Sequence, residues 1–195
     1  MPLTRPELPV DTEALARFLI GRLLVRALPE GVVGGRIVET EAYPPGDPAG
    51  HAWRGPTPRN RSLFQAPGHA YVYLAYGLSW MLNVASEPQG VGAGVLIRAL
   101  EPLDGLAIMR ANRGTGHLRD LARGPGRLAA ALRIDRALDG LDLCRRGPLW
   151  LARGQPVPAA IGRSVRIGIT RTTDRPLRFY LHGSRFVSGP RSLNR

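Results

Sequence analysis

Residues 32–43 are β-branched and alternating, carry no helix signal, and stop at Pro44-Pro45-Gly46. This run reads as a strand, because alternation sends successive side chains to opposite faces of a sheet and a Pro-Pro-Gly stop ends the pairing. Within it Glu39, Glu41 and Tyr43 share one face, with neighbours about 7 Å apart, so two carboxylates and a phenol converge. In an arbitrary chain such a pattern is most simply the solvated face of an edge strand. The neighbouring segments give it another meaning.

Asp11 or Thr12 can cap a helix running to about Ala27, with Leu15, Phe18, Leu19, Arg22 and Leu23 at helical spacing and Gly31 beyond its end. Residues 44–69 are rich in Pro and Gly and carry His51, Trp53, Arg54, Arg59, Asn60 and Arg61. A loop that long inside a compact domain is usually functional. Two strand-like runs follow, 70–75 and 80–85, joined through Tyr76, Gly77, Leu78 and Ser79. They suit a hairpin with Gly at the tight position and Tyr76 at its tip. On its first strand Tyr71 and Tyr73 share a face, and a flat aromatic surface is what a nucleobase stacks upon. Core packing accounts for Tyr71. Beyond Gly90, Gly92 and Gly94, residues 95–99 read as a strand carrying Arg98, residues 102–113 and 127–132 as helices, and residues 164–169 and 177–181 as late strands. With 18 Pro and 24 Gly in 195 residues the chain is loop-rich, and one domain spanning 1–195 is expected.

Charge points to a partner. The chain holds 27 basic and 15 acidic residues for a formal net charge of +12, a field that attracts polyanions, and every basic residue is Arg. Other classes are argued against. The single Cys144 makes no internal disulfide and supplies only one thiolate, which rules out a thiolate-cluster zinc site. His51, His69, His117 and His182 show no ligand spacing, so neither a metal nor another cofactor is expected. The densest apolar stretch, 15–28, contains Arg17, Arg22 and Arg26, which argues against a membrane span or signal peptide and for a soluble cytoplasmic protein, nucleoid-associated in a bacterium. A strand-nicking enzyme that works through a Schiff base needs an amine, and without Lys only the N-terminus remains.

Four blocks in order carry a resemblance to a known family: Gly35-Arg36-Ile37-Val38-Glu39-Thr40-Glu41-Ala42-Tyr43, Thr57-Pro58-Arg59-Asn60-Arg61, Tyr71-Val72-Tyr73 with Tyr76-Gly77, and Arg98-Ala99-Leu100-Glu101-Pro102. Together with Pro176-Leu177-Arg178-Phe179-Tyr180 they resemble the alkyladenine (3-methyladenine) DNA glycosylases. The resemblance implies an α+β fold: a single domain with a curved antiparallel β-sheet edged by helices and a protruding, DNA-intercalating β-hairpin. It implies a monomer that acts on double-stranded DNA containing damaged purines, flips the base out and hydrolyses its bond to deoxyribose, leaving an abasic site without lyase activity. On this numbering it makes Glu41 the general base and Arg98 the residue that helps hold the attacking water. Tyr43 and His51 would stack on one face of the flipped base and Tyr73 on the other. Asn83 would crowd the 2-amino group of guanine, and Tyr76 would fill the gap left in the duplex. Glu39, on the same strand face as Glu41, is the alternative base.

Those residue types fit the chemistry by themselves. A base must leave the stack before an enzyme can act on it, and an aromatic wedge offsets the lost stacking. Cleavage of the N-glycosidic bond develops positive charge on the sugar, which a carboxylate can stabilise while it deprotonates water. Three other readings stay open from the residues alone: an Arg-rich RNA-binding protein, a helix-hairpin-helix glycosylase suggested by Gly124-Pro125-Gly126, and a protein that binds lesions without cleaving them.

Overall fold

The computed structural model describes residues 1–154 and 160–194. The order of elements is α1 (Thr12–Leu19), β1 (Leu23–Leu28), β2 (Gly31–Tyr43), β3 (Ala70–Ala75), β4 (Ser79–Ala85), β5 (Gly94–Asp104), α2 (Leu106–Arg113), α3 (Pro125–Ala131), β6 (Leu149–Ala152), β7 (Ile161–Ser164) and β8 (Arg178–Leu181). The strands form one curved antiparallel half-barrel sheet in the order β3-β4-β5-β2-β1-β6, with three helices packed against it. The architecture is therefore the α+β class expected. No helix among the described residues is long and apolar enough to cross a membrane.

Strand β2 organises the sheet because it changes partners along its length. Its first half pairs with β1 and its second half, from Glu39 to Glu41, with β8, while β5 follows it on the other side from Gly34 to Tyr43. Strand β7 then pairs with β8. Two bulges interrupt the β2–β5 ladder around Glu39, and a third register shift falls between Gly34 and Gly35. Bulges bend a strand and re-aim its side chains, and these adjoin the carboxylate pair.

Helix α1 starts where expected, with the Asp11 carboxylate accepting from the Ala14 N–H at 2.7 Å. It stops eight residues short of Ala27. Gly21 takes a φ of 87°, a left-handed conformation that ends the helix, and residues 23–28 form a strand instead. The pairing of Leu23 with Arg36 through to Leu28 with Gly31 overrides the helical spacing of that segment. The helix buries Leu15, Ala16 and Leu19 on the sheet, and the Thr40 hydroxyl of β2 donates to the Ala16 carbonyl at 2.9 Å.

The other departures are of the same kind. Residues 102–104 continue β5 rather than open a helix, since Pro102 sits opposite Gly35 at the register shift, where a missing donor is tolerated. Helix α2 begins only after Gly105, whose φ is 69°. The late strand expected at 164–169 lies earlier, at Ile161–Ser164, and residues 165–171 form a loop that proves important below.

Gly35 marks the tightest approach of β2 to β5, for a Cβ built there would lie 2.4 Å from the Glu101 carbonyl oxygen. Gly35→Ala is expected to lower the unfolding free energy by about 1–3 kcal/mol, the usual cost of overpacking. Gly116 is exposed with open space around it, so Gly116→Ala should change stability by less than about 0.5 kcal/mol. Urea unfolding of both variants checks this, and equal midpoints would mean that the two strands can part at Gly35 without cost.

Candidate active site

Strand β2 delivers Glu41 to a point where three donors from three parts of the chain meet. Arg98 of β5 reaches its Oε1 with a terminal nitrogen at 3.0 Å, the Ile167 N–H donates to the same oxygen at 2.7 Å, and the Tyr43 hydroxyl donates to Oε2 at 2.9 Å. Burial and the adjacent Glu41 charge push the Tyr43 phenol far up, so it remains a donor throughout the neutral range. Glu41 is itself buried, and Tyr43, Arg98 and Ile167, which surround it, line the cavity in front.

Glu39 points the same way, as alternation requires, but its surroundings differ. Its carboxylate accepts from Arg98 Nε at 2.8 Å, Arg178 Nε at 2.7 Å, the Ser188 N–H at 2.6 Å and the Ser188 hydroxyl at 3.0 Å. Burial alone would push its pKa up, yet the two guanidinium charges and these hydrogen bonds hold the carboxyl below its ordinary value. Glu39 does not line the cavity, and four donors occupy its oxygens. A group so enclosed is a poor candidate for the alternative base.

The cavity measures about 600 Å³, within the range of roughly 300–1,000 Å³ typical of small-molecule sites. Tyr43, His51, Tyr73, Asn83, Tyr76 and Arg98 all line it, so one wall or another holds each residue singled out for the site except the buried Glu41. His51 and Tyr73 are in edge contact, with ring centroids 4.3 Å apart and planes at 63°. Tyr71, assigned to core packing, is indeed buried but does more: its hydroxyl shares a 2.9 Å hydrogen bond with His51 Nδ1, and its ring stacks on Tyr73 at 5.3 Å. Burial pushes the Tyr71 phenol to about 12, while burial and the Arg59 charge lower the His51 pKa. A neutral imidazole beside a protonated phenol follows. Asn83 sits opposite Tyr71 across the hairpin and gives only a long 3.4 Å bond to the Tyr71 carbonyl.

The hairpin turn is as expected, with Gly77 at a φ of 70°. Tyr76 is 89% exposed at its tip and Leu78 85%. Trp53, 48% exposed, stands at the rim as well.

Two features have no local sequence signal. The loop 167–171 forms a cavity wall and supplies the Ile167 N–H, a backbone group that no residue type announces. Behind it Arg166 and Asp47 make a wholly buried ion pair, with Thr172 bonded to both side chains and the Arg166 guanidinium 4.6 Å from the centre of the Tyr43 ring. That clasp ties the loop after β2, which leads to His51, to the wall that carries Ile167. A Gly within a supposed strand, Gly168, was the available hint that 164–169 is not regular.

The family model described as methylpurine-DNA glycosylase matches residues 7–185. A protein of Mesorhizobium japonicum is 73% identical over 192 residues, covering 98% of this chain and 92% of its own length. One from Paraburkholderia phytofirmans is 54% identical over 193 residues, covering 99% and 91%, and one from Rubrobacter xylanophilus 48% identical over 176 residues, covering 90% and 92%. All three carry the name "Putative 3-methyladenine DNA glycosylase". With nearly its whole length matched in both kinds of comparison, this chain belongs to the methylpurine-DNA glycosylase family.

Proposed function

We propose that the protein is a monofunctional DNA glycosylase of base excision repair, which flips damaged purines from duplex DNA and hydrolyses the N-glycosidic bond. The observation that carries the reading is a carboxylate, Glu41, ringed by Arg98, Tyr43 and the Ile167 N–H directly behind an aromatic cavity, in a chain of net charge +12. A basic surface draws DNA, the cavity takes the base, and the carboxylate faces the sugar as positive charge develops on it.

In this scheme Glu41 accepts a proton from water, and Arg98 beside it helps hold that water in place. Its Oε2 is covered by the Tyr43 hydroxyl, so a base arriving against the Tyr43 ring has to loosen that bond for water to enter. His51 and Tyr73 are in contact at an angle, so a purine sandwiched between them has to part the two rings as well as turn them toward parallel. Binding is therefore an induced fit in which the correct base assembles the site. With the Tyr71 hydroxyl donating to His51 Nδ1, the neutral ring keeps a proton on Nε2 for an acceptor on the base. A cationic base such as 3-methyladenine or 7-methylguanine gains from the electron-rich faces of Tyr43 and Tyr73, and hypoxanthine relies more on hydrogen bonding. The chain has no Lys and its N-terminus does not line the cavity, which supports hydrolysis, with a free base and an abasic site as products.

Glu41→Gln should reduce single-turnover release of base by about 10²–10⁴-fold, the usual worth of a general base, while binding to an abasic-site duplex stays within about tenfold. Release at the normal rate by that variant would remove Glu41 from the mechanism. Asn83 provides the test of specificity. Guanine differs from hypoxanthine by its 2-amino group, which Asn83 would exclude by bulk and unmet hydrogen bonding. Asn83→Ala should raise guanine release relative to hypoxanthine by about ten- to 200-fold in matched mispaired duplexes. An equal loss on both bases would assign Asn83 to the hairpin tie with the Tyr71 carbonyl instead.

A further inference from the structure

The Arg178 side chain is wholly buried, and all five of its N–H groups have an acceptor. Nε donates to Glu39 Oε1 at 2.7 Å. One terminal nitrogen donates to the Ser164 hydroxyl at 2.8 Å and the Leu193 carbonyl at 3.1 Å, the other to the Ser188 carbonyl at 3.0 Å and Asn194 Oδ1 at 2.7 Å. Three of those acceptors belong to the segment 188–194, and the Asn194 amide donates back to the Ser188 carbonyl at 3.1 Å. The same segment also holds Glu39 directly, through the N–H and hydroxyl of Ser188.

We propose that Arg178 and the segment 188–194 form a positioning device for the chemical step: they fix Glu39, Glu39 fixes Arg98, and Arg98 presents its terminal nitrogen to Glu41. The inference rests on the role given to Glu41 above. Its physical basis is a balance of buried charge. Two guanidiniums, Arg98 and Arg178, face two carboxylates, Glu39 and Glu41, in one buried cluster. If Arg178 is withdrawn, both carboxylates share Arg98 alone, and a guanidinium drawn toward Glu39 leaves Glu41. Arg98 binds Glu39 through Nε and Glu41 through a terminal nitrogen, so a small rotation at one carboxylate moves the other contact. Neither Arg178 nor Asn194 lines the cavity, so neither touches the base; the segment's direct contact with Arg98, from its terminal nitrogen to the Ser188 hydroxyl, is a long 3.5 Å one, which leaves Glu39 as the strong link of the relay.

The variants are Asn194→Ala, which loosens the far end of the relay, and Arg178→Lys, which keeps the charge but not the fork. Each is assayed for single-turnover release of hypoxanthine at saturating protein, for Kd on an abasic-site duplex, and for thermal unfolding. Asn194→Ala should slow release by about threefold to tenfold and Arg178→Lys by up to about 100-fold, the cost of misplacing a catalytic group by an ångström, with Kd within about twofold for both. Because the relay runs through Glu39, the Asn194→Ala loss should vanish in a Glu39→Gln background. A merely structural role for the segment predicts the opposite: lower thermal stability, normal release in the folded fraction, and effects that add. Normal release by folded Asn194→Ala, or additive losses with Glu39→Gln, overturns the proposal, and Asn194→Ala decides if Arg178→Lys does not fold. A parent protein that releases no base sinks the glycosylase reading and this inference with it, whereas normal release by parent and variants alike sinks only the inference.

Discussion

One guanidinium joined to two buried carboxylates on a single strand governs how this molecule is built. Burying Glu39 and Glu41 without partners would cost several kcal/mol for each charge, so every other element near them supplies compensation. Strand β5 brings Arg98, β8 brings Arg178, the loop after β7 brings the Ile167 N–H, and the segment 188–194 brings Ser188. Strand β2 can accept donors from both sides because β5 and β8 flank it at Glu39–Glu41. Replacing the cluster by apolar residues would often be neutral or stabilising for a fold. Its presence therefore fits a site better than a scaffold.

The two carboxylates, alike in sequence, divide their roles by environment. Glu39 is locked by four donors and acts on its neighbours, while Glu41 keeps contact with groups that line the cavity. The wall in front is ordered from behind in the same fashion. Tyr71 holds His51 and stacks on Tyr73, and Arg166 with Asp47 holds the loops on either side of Tyr43, so these three rings of the cavity wall each have a buried partner. Partners behind the rings limit the rearrangement that base binding still requires of them.

Much of this was legible in the residues, and the exceptions share a cause. Strands β2, β3, β4 and β8 follow from local alternation and β-branching, and the hairpin follows from Gly77. What misled was non-local. Residues 23–28 have helical spacing but a strand partner in 31–36, and Pro102 stays in β5 because Gly35 lies opposite. For the site, the resemblance placed Glu41, Arg98, Tyr43, His51, Tyr73, Asn83 and Tyr76 together, and the fold brings them around one cavity. Ile167 acts through its backbone, and Arg166, Arg178 and Ser188 meet partners more than a hundred residues away, Asp47 for the first and Glu39 for the others. No window along the chain contains such a pair.

The hairpin joins the DNA side of the proposal to its chemistry. Tyr76 has a φ of 51°, an uncommon conformation for a bulky residue, and it exposes almost its whole ring. Strain and exposed apolar area both oppose folding, so the tip is held by the complete β3–β4 register from Ala70 opposite Val84 to Ala75 opposite Ser79. The strand that ends in this tip also carries Tyr71 and Tyr73, and its partner carries Asn83. Two strand residues, Leu74 and Ala75, lie between Tyr73 and Tyr76, so three steps of at most roughly 3.3 Å keep the two backbones within about 10 Å. Under the proposed function the wedge in the duplex and the wall that receives the base thus belong to one stiff element. The gap opened by the tip then lies at a fixed distance from the stacking surface, so insertion of Tyr76 and capture of the base are a single movement. A flexible loop at either end would break that link, which gives a physical reason for tolerating a strained, exposed tyrosine on an otherwise regular hairpin.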